Sequence, residues 1–526
     1  DYEAGSGPCL SASLRTHGTP KPLARQVPLK RQRRGLQCGS AVPLLQSAVG
    51  TEVDSIARGL DTLERNGHLR RSPAPATERP QRDLTSGGLG RHLLTLSLPS
   101  SASVALFSAA GLADAYWLGQ VSGTALAAQA MGMTLRMVLI SPMMGLGAGG
   151  MAVVARCIGA GEQRQADHAV ARTALIILLF ASLLSLLGEM AGATFLRWMG
   201  AQGSVLAGAV AYVRIIFGGI LFMEMLPTLN AVIVGAGHPE YTLRFNLVNV
   251  VVMLLLEPVL VLGLGPFPRL GIRGAAWAAV LGSASGVAIQ LWILWRGRAG
   301  VRLHPSDIRP DLSMMGRILK IAMPTTAQRF SPNLTSALLI RLVSLFGSDV
   351  LTAYSVIGRV FGFFHTIPMG ISQATASLVG QNLGAGKPDR AERSVRLGSV
   401  ISTASSLVLF GALAIWPARF LCLFTNDASV VAIGVGASRF MLSAGTFLAW
   451  SAIVGSGLLG AGDALSPMWV NIGTMWLVQL PLCWALSRAL GLGPQGIWMG
   501  FALSSLLGAV AMQLVFRSGG WKRVTV

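Results

Sequence analysis

The apolar and polar positions along the chain separate a polar N-terminal stretch from a long series of apolar runs. Twelve runs after residue 90 have the length that a helix needs to cross a bilayer core of about 30 Å. They contain Gly and Pro without strand-like alternation, and lipid requires backbone groups to be paired within the segment, so the runs predict helices. The predicted helices are 93–118, 126–155, 171–196, 208–234, 243–265, 272–296, 318–345, 351–380, 398–422, 430–459, 466–490 and 494–516.

The second half of the chain repeats the first at a constant separation of 225 residues. The loop IGAGEQRQA, with Gly159, aligns with LGAGKPDRA, with Gly384, and VGAGHP at Gly235 aligns with LGAGDA at Gly460. Each half holds six predicted helices, so the second half enters the membrane from the same side as the first. The sequence therefore predicts an all-α polytopic membrane protein with 12 transmembrane helices, arranged as parallel repeats in two pseudo-symmetric six-helix bundles.

This organisation divides the chain into four parts. Residues 1–90 are an N-terminal extension, rich in Arg, Pro, Ser and Gly, whose low-complexity composition predicts disorder. Residues 91–300 form the N-lobe with helices 1–6, residues 301–317 a cytoplasmic linker, and residues 318–526 the C-lobe. The extension has the composition of an organellar transit peptide, a tail or a misassigned start, and its acidic residues weaken the first interpretation.

Composition and charge placement agree with a multi-pass integral membrane protein. Charged residues are 12% of the chain, against about 25% in soluble domains. The chain has a net charge of +20, and the basic residues of the loops between predicted helices are concentrated on one side, thirteen against five. This bias predicts that both termini lie in the cytoplasm, with the protein in a cell membrane or an organellar one, and does not indicate nucleic acid as a partner. On that side lie Arg164, Arg172, Arg244, Arg296, Arg298, Arg302, Arg309, Arg317, Lys320, Lys387, Arg390, Arg393 and Arg396; on the other lie Arg197, Arg269, Arg273, Arg419 and Arg488.

The chain lacks the sequence signatures of a metal site or an enzyme. Its five cysteines form no CxxC pair and no Cys/His cluster, so we expect neither a disulfide framework nor a metal site. HExxH, GxSxG and paired His–Asp motifs are absent from the predicted helices. Two parallel bundles facing each other favour a transporter that opens alternately to each side, not an enzyme, and no cofactor is predicted.

The two halves differ in acidic residues within the predicted helices. A carboxylate in the bilayer core costs at least about 2.5–3.5 kcal/mol, and desolvation favours its protonated form. An acid whose protonation depends on the side from which water enters can couple transport to protons; alternatively, a neutral acid only joins helices by hydrogen bonds. These acids are Asp114, Glu224 and Glu257, and their second-half equivalents are Leu339, Ala449 and Leu482.

Several motifs, taken together in order and spacing, resemble a known family. They are GLADAYWLG, GLGAGGMAVVARCIGAGEQRQA, NAVIVGAGHPEYTLRFNLVN, LLLEPVLVLGLG and GISQATASLVGQNLGAGKPDRAERSV. From about residue 91 to 520 the chain resembles the multidrug and toxic compound extrusion (MATE) family, on its DinF-like branch. The resemblance implies a functional monomer of twelve helices that exports small organic compounds by alternating access, in exchange for H⁺ or Na⁺.

The resemblance also implies site residues. The acids of helices 1 and 5 in the family site carry over to Asp114 and Glu257, and a Tyr and an Asn of helix 4 carry over to Tyr212 and Asn230. Met253 and Ala279 stand where the family has an Asn and a Thr, and Glu257 replaces an Asp, which thins the hydrogen-bond network and leaves the ion open. For the substrate cavity we expect contributions from Glu224, Gln129, Asn333, Gln328 and Gln373.

The sequence leaves more than one possibility for the coupling ion and for the class of substrate. The helix 7 stretch TTAQRFSPNLTS has no acid for a C-lobe Na⁺ site, so H⁺ is favoured and Na⁺ at the N-lobe site is the alternative. The family implies cationic drugs, but an organic anion is favoured if two of four helix-associated arginines face the cleft. A flippase for lipid-linked precursors is less favoured, since it predicts helices beyond twelve. The arginines are Arg136, Arg329, Arg341 and Arg359.

Overall fold

A computed structural model describes residues 82–119, 121–143, 145–264, 268–304, 310–422 and 427–524, which fold into helices joined by short loops. The twelve helical segments match the twelve predicted runs and are labelled in chain order. They are α1 (Leu89–Gly119), α2 (Gly123–Ile140 and Leu146–Gly159), α3 (Gln163–Trp198), α4 (Gly203–Gly218 and Ile220–Gly235), α5 (Pro239–Leu262), α6 (Ile272–Trp295), α7 (Leu312–Ser344), α8 (Ser348–Gly384), α9 (Pro388–Ile415), α10 (Ala428–Gly460), α11 (Leu465–Ala489) and α12 (Pro494–Arg517).

Most of these segments can cross a membrane by length and composition. In the described part of the chain, nine helices are long and apolar enough, and the two pieces of α4 qualify together across a bend of 53°. The two pieces of α2 are shorter because a 3₁₀ turn at Ser141–Met143 interrupts the helix. Helix α7 spans 33 residues but carries four basic side chains, Arg317, Lys320, Arg329 and Arg341, which lower its hydropathy.

The packing of the helices repeats with the sequence. In the N-lobe α1 packs on α5, α5 on α6, α2 on α3 and α4, and α4 on α3 and α6. In the C-lobe the equivalent pairs are α7 with α11, α11 with α12, α8 with α9 and α10, and α10 with α9 and α12. Between the lobes, α1 packs on α8 and, equivalently, α7 on α2. The prediction of two pseudo-symmetric bundles is confirmed.

The repeated GAG loops explain how the lobes approach each other. Gly161 and Gly386, the second glycines of two such loops, have φ of 76° and 69°, a left-handed conformation that favours glycine. A Cβ on Gly159 would collide with the backbone of Gln381, and one on Gly384 with the backbone of Arg156. The lobes therefore meet backbone to backbone where α2 and α8 end, at the side predicted to be cytoplasmic.

The structure shortens the predicted N-terminal extension. Leu84 is buried between the lobes, and its carbonyl oxygen accepts a hydrogen bond from Asn382 Nδ2 at 3.3 Å. The carbonyl oxygen of Thr85 accepts one from Lys387 Nζ at 2.9 Å. The predicted disorder is thus wrong for residues 82–90, because Leu84 finds apolar neighbours in α1 and α8; residues 1–81 lie outside the described part of the chain.

The linker is also shorter than predicted. Helix α7 begins at Leu312, inside the predicted linker 301–317, because the Asp311 carboxylate accepts hydrogen bonds from the Ser313 and Met314 amides at 3.0 and 3.3 Å. A side-chain oxygen before the first turn satisfies amides that have no partner within the helix, and so fixes where the helix begins.

Candidate functional site

Two carboxyl groups lie side by side inside the N-lobe. Asp114 comes from α1 and Glu257 from α5, two helices that pack on each other. Asp114 is buried and accepts a hydrogen bond from Gln129 Nε2 of α2. Glu257 is completely buried, and among the described residues neither of its oxygens has a donor within hydrogen-bond distance. Asp114 is therefore anchored by an amide, whereas Glu257 has only the neighbouring carboxyl group.

Tyr212 of α4 completes this cluster. Its ring is buried and packs against Gly132 of α2, where an added Cβ would lie 2.6 Å from Tyr212 Cδ1. Its hydroxyl lies beside the Gln129 amide, which also bonds Asp114. The structure thus brings together three of the four residues predicted for the coupling site, Asp114, Tyr212 and Glu257, and adds Gln129, which was predicted for the substrate cavity.

Two carboxyl groups this close together can share one proton through a hydrogen bond between them. Two adjacent carboxylates away from water repel each other strongly, and a proton on one of them removes the repulsion and supplies a hydrogen-bond donor. The interior position of Glu257, without another donor, increases the cost of a second negative charge. The site is therefore suited to take up and release a proton as its surroundings change.

The carboxyl pair does not lie at the middle of its helices, as predicted, but closer to one face of the membrane. Asp114 and Glu257 are each five residues from the ends of α1 and α5, about 8 Å along the helix. At this end a pocket of about 330 Å³ is lined by Ser122, Thr124, Ser204 and Arg269 together with apolar residues of α2, α4 and α6. Its wall includes Ala128, the residue before Gln129, but neither Asp114 nor Glu257 is among the residues that line it.

Asn230, predicted for the same site, belongs to a second polar cluster. Its Nδ2 donates to Asn246 Oδ1 at 2.9 Å, and its Oδ1 accepts from Gln290 Nε2 at 2.9 Å. Asn246 donates in turn to Ser103 Oγ of α1. Asn246 lies eleven residues before Glu257 on α5, about 16 Å along the helix, so the two clusters occupy different depths.

Glu224, predicted for the cavity, is held in an ion pair. Arg136 Nη2 of α2 lies 3.0 Å from Glu224 Oε1 of α4, and both side chains are largely buried. The charge of Glu224 is therefore matched within the N-lobe. Arg136 is visible in the sequence as a charge within an apolar run, but its partner Glu224 lies 88 residues away and no local pattern indicates the pair.

The remaining cavity residues lie in the C-lobe. Asn333 of α7 is exposed, and Gln328 of α7 and Gln373 of α8 are partly buried. They do not join the cluster around Asp114.

A comparison with protein families identifies the chain. The family model described as MatE matches it twice, over residues 99–259 and 324–485. The chain belongs to the MatE family. The two matched segments begin 225 residues apart, the separation of the internal repeat. MatE members are transporters, and the predictions of the family, of a multi-pass membrane protein and of a protein that is not an enzyme are confirmed.

Relatives within the MatE family cover most of the chain. A "Probable multidrug resistance protein NorM" of Thermotoga maritima is 22% identical over 437 residues, which cover 83% of this chain and 94% of the relative. A protein of the same name from Deinococcus radiodurans is 29% identical over 68% of this chain and 80% of its own length. A "FAD transporter" of Shewanella oneidensis is 24% identical, over 81% and 94% of the two chains.

Solved structures share the fold. One titled as the outward-facing conformation of a multidrug resistance MATE family transporter has a TM-score of 0.79 at 20% identity, and covers 85% of this chain and all of its own. A transporter from Pyrococcus furiosus, whose title reports a reverse polarity of the binding pocket, has a TM-score of 0.78 at 19% identity and the same coverage. Assignment to the DinF-like branch stays a prediction.

Proposed function

We propose that the protein exports small organic compounds across a membrane in exchange for protons, and that the carboxyl pair Asp114–Glu257 carries the exchanged proton. The observation that supports this most directly is the burial of two adjacent carboxyl groups in one lobe of an otherwise repeated scaffold. The equivalent positions in the C-lobe are Leu339 and Leu482, so only one lobe has this chemistry at that place.

The arrangement of the lobes supports alternating access. The lobes are in contact at the α2 and α8 ends, where Gly159 and Gly384 lie. The carboxyl pair lies toward the opposite end of the N-lobe, five residues before the ends of α1 and α5. In this arrangement the pair exchanges protons with the outer side while the cytoplasmic end is closed. A rocking of the lobes about their interface then exposes the substrate path to the cytoplasm, where both termini are proposed to lie.

A proton fits the pair better than Na⁺. A proton shared between two carboxyl groups needs no further ligand, whereas a hard cation needs several oxygen atoms around it. The nearby oxygens are those of Gln129 and Tyr212, and the family's Asn and Thr are replaced here by Met253 and Ala279. Na⁺ coupling at the same site remains the alternative that the experiment must separate.

The substrate class follows from the relatives. Several are named multidrug resistance proteins, which supports small organic compounds as substrates of this chain. The bilayer is the surrounding partner, and a single chain holds both lobes, so we propose a functional monomer.

Transport in proteoliposomes tests the proposal. Norfloxacin is a suitable probe because it carries both an amine and a carboxylate, so binding does not depend on which charge the protein prefers. We expect an acidic lumen, without a Na⁺ gradient, to drive norfloxacin uptake by the wild type. Asp114→Asn and Glu257→Gln should each abolish gradient-driven uptake.

Glu189→Gln is the matched control, since Glu189 is also a helix acid but is 44% exposed and 3.8 Å from Arg214. It should transport like the wild type. If a Na⁺ gradient alone drives norfloxacin uptake, the coupling ion is Na⁺ and not the proton. Gradient-driven uptake by both carboxyl variants at the wild-type rate would remove the pair from the mechanism.

A further inference from the structure

The face of α7 that contacts the N-lobe continues into an exposed stripe. Ile318 and Ala322 are buried where their backbones meet Gly149 and Gly145 of α2. One turn further, Thr326 Oγ1 accepts a hydrogen bond from the Gly145 amide at 3.2 Å. The next residue on this face, Arg329, is exposed. The lobes therefore separate beyond Thr326, and Arg329 lies on the wall of the cleft that opens there.

Helix α8 shows the same change along its contact face. Ser377 and Gly370 are buried, Gly370 against Ser101 of α1, and the Ile367 carbonyl accepts from Ser101 Oγ at 3.2 Å. Beyond this contact, Phe363 and then Arg359 on the same face are exposed. Arg359 is eleven residues before Gly370, which at 3.6 residues per turn returns it to nearly the same direction. Arg359 thus lies on the same cleft wall as Arg329.

Neither arginine has an acidic partner within 4.0 Å among the described residues. From the α7–α8 turn at Gly347, Arg329 and Arg359 are 18 and 12 residues away, about 27 and 18 Å in depth. Unpaired charges at such depth are costly and mark ligand sites in membrane proteins.

The opposite wall offers no compensating charge at its contact face. On α1 this face continues from Ser101 through Ala105 to Ser108, which are small or hydroxylated. The three acids predicted for the N-lobe site have their neighbours within that lobe, Asp114 with Gln129 and Glu257, and Glu224 with Arg136. The positive charge of the C-lobe wall is therefore available to a ligand.

We propose that Arg329 and Arg359 form an anion-binding site in the cleft, which binds the carboxylate or phosphate groups of a soluble organic substrate. Guanidinium groups bind both anions through paired N–H donors. The inference deepens the proposed function, since it assigns the class of the exported compound.

Equilibrium binding separates this inference from the proposed function, because it needs no ion gradient. The probe is flavin mononucleotide, an anionic phosphate ester, measured with purified protein in phosphatidylcholine nanodiscs. Riboflavin, which has the same ring without the phosphate, and ethidium, a cation, are the comparison ligands. We expect the wild type to bind flavin mononucleotide at least tenfold more tightly than riboflavin, and the phosphate's advantage to fall about tenfold in Arg329→Gln and in Arg359→Gln.

Two variants control for folding and for general positive charge. Arg329→Lys keeps the positive charge but loses the paired donors, so it should retain part of the affinity, more than Arg329→Gln and less than the wild type. Arg341→Gln should leave it unchanged, since Arg341 is exposed on α7 but is twelve residues from Arg329, about 120° around the helix. The carboxyl variants Asp114→Asn and Glu257→Gln should also bind the probe, even though we expect them to lose gradient-driven transport.

Several results would overturn the anion site. One is equal affinity of the wild type for flavin mononucleotide and riboflavin. Another is tighter binding of ethidium than of either flavin. A third is a loss of affinity for flavin mononucleotide in Arg341→Gln as large as in Arg329→Gln. Nanodiscs with phosphatidylglycerol should bind the probe as well as phosphatidylcholine nanodiscs do. A loss of binding there would assign the arginines to lipid headgroups and contradict a soluble substrate. Failure of proton-driven transport with intact, arginine-dependent binding would instead refute the proposed function and leave this site standing.

Discussion

The buried ion pair between Arg136 and Glu224 gives a sharp prediction about stability. The two charged atoms are 3.0 Å apart, and the side chains are 15% and 8% exposed. Removing one partner of a buried pair leaves an uncompensated charge, which costs about 3–5 kcal/mol. Arg136 depends on this pair all the more because its Nε has no hydrogen-bond partner in the described part of the chain. We therefore expect Glu224→Met to lower the free energy of unfolding by about 3–5 kcal/mol.

The double variant Arg136→Met with Glu224→Met should recover most of this loss. Replacing both partners of a buried pair by apolar residues of similar size is often neutral or stabilising by about 1–4 kcal/mol. Steric-trap unfolding in bicelles measures all four members of the cycle. The exposed pair Arg214–Glu189, at 3.8 Å and 63% and 44% exposed, is the control, and its removal should cost at most about 1 kcal/mol.

The cycle also separates stability from coupling. Since we assign proton exchange to Asp114 and Glu257, the folded double variant should still accumulate norfloxacin when the lumen is acidic. Single variants within about 0.5 kcal/mol of the wild type would show that water screens the pair, and would refute the reasoning from burial. A stable double variant without proton-driven uptake would place Glu224 in the coupling path.

Three further changes test the interface, the second polar cluster and the N-terminal segment. Gly384→Val adds atoms against the Arg156 backbone, so it should destabilise the closed interface between the lobes by about 1–3 kcal/mol. In a chain whose only cysteine is the buried Cys157, this variant should increase maleimide labelling. Gly316→Val is the control, because a Cβ on Gly316 would meet no atom within 4 Å, and it should leave the labelling unchanged. Asn230→Ala leaves Gln290 and Asn246 without their partner and should cost about 1–3 kcal/mol of stability. Its proton-driven uptake should persist, and loss of uptake in a stable variant would join Asn230 to the coupling site. Hydrogen bonds from Ser86 and Thr85 lower the pKa of Asp83 to about 2, so their contribution is complete above the ordinary pKa of about 3.9 and is lost as pH falls toward 2. Asp83→Ala should therefore speed amide exchange of residues 84–88 at neutral pH, and unchanged exchange would contradict a role for Asp83 in fixing this segment.

The membrane helices were predictable because bilayer thickness imposes a length that apolar runs reveal directly. The break in α4 was less visible, because Gly218 and Gly219 lie within a continuous apolar run. At the bend Gly219 packs against Val280 of α6 so closely that an added Cβ would lie 2.4 Å from Val280 Cγ1, which is a collision. A contact between α4 and α6 is not encoded in local hydropathy.

The carboxyl cluster was predictable in part for an energetic reason. An acid within an apolar run is expensive, so Asp114 and Glu257 indicated a site before their proximity was known. Asn230 was grouped with them through the family resemblance, although 18 residues separate it from Tyr212, about 27 Å along the helical path. The pairing of Arg136 with Glu224 needed the tertiary structure, because no local pattern joins residues 88 positions apart.

Simultaneous recording of substrate and proton movement tests the central claim most directly. Proteoliposomes containing a trapped pH indicator would receive norfloxacin without any imposed gradient. In the wild type we expect norfloxacin influx to be accompanied by proton efflux, and in Asp114→Asn and Glu257→Gln we expect no proton efflux on norfloxacin addition. Proton movement of wild-type size in Glu257→Gln would contradict the assignment of the exchanged proton to the buried carboxyl pair.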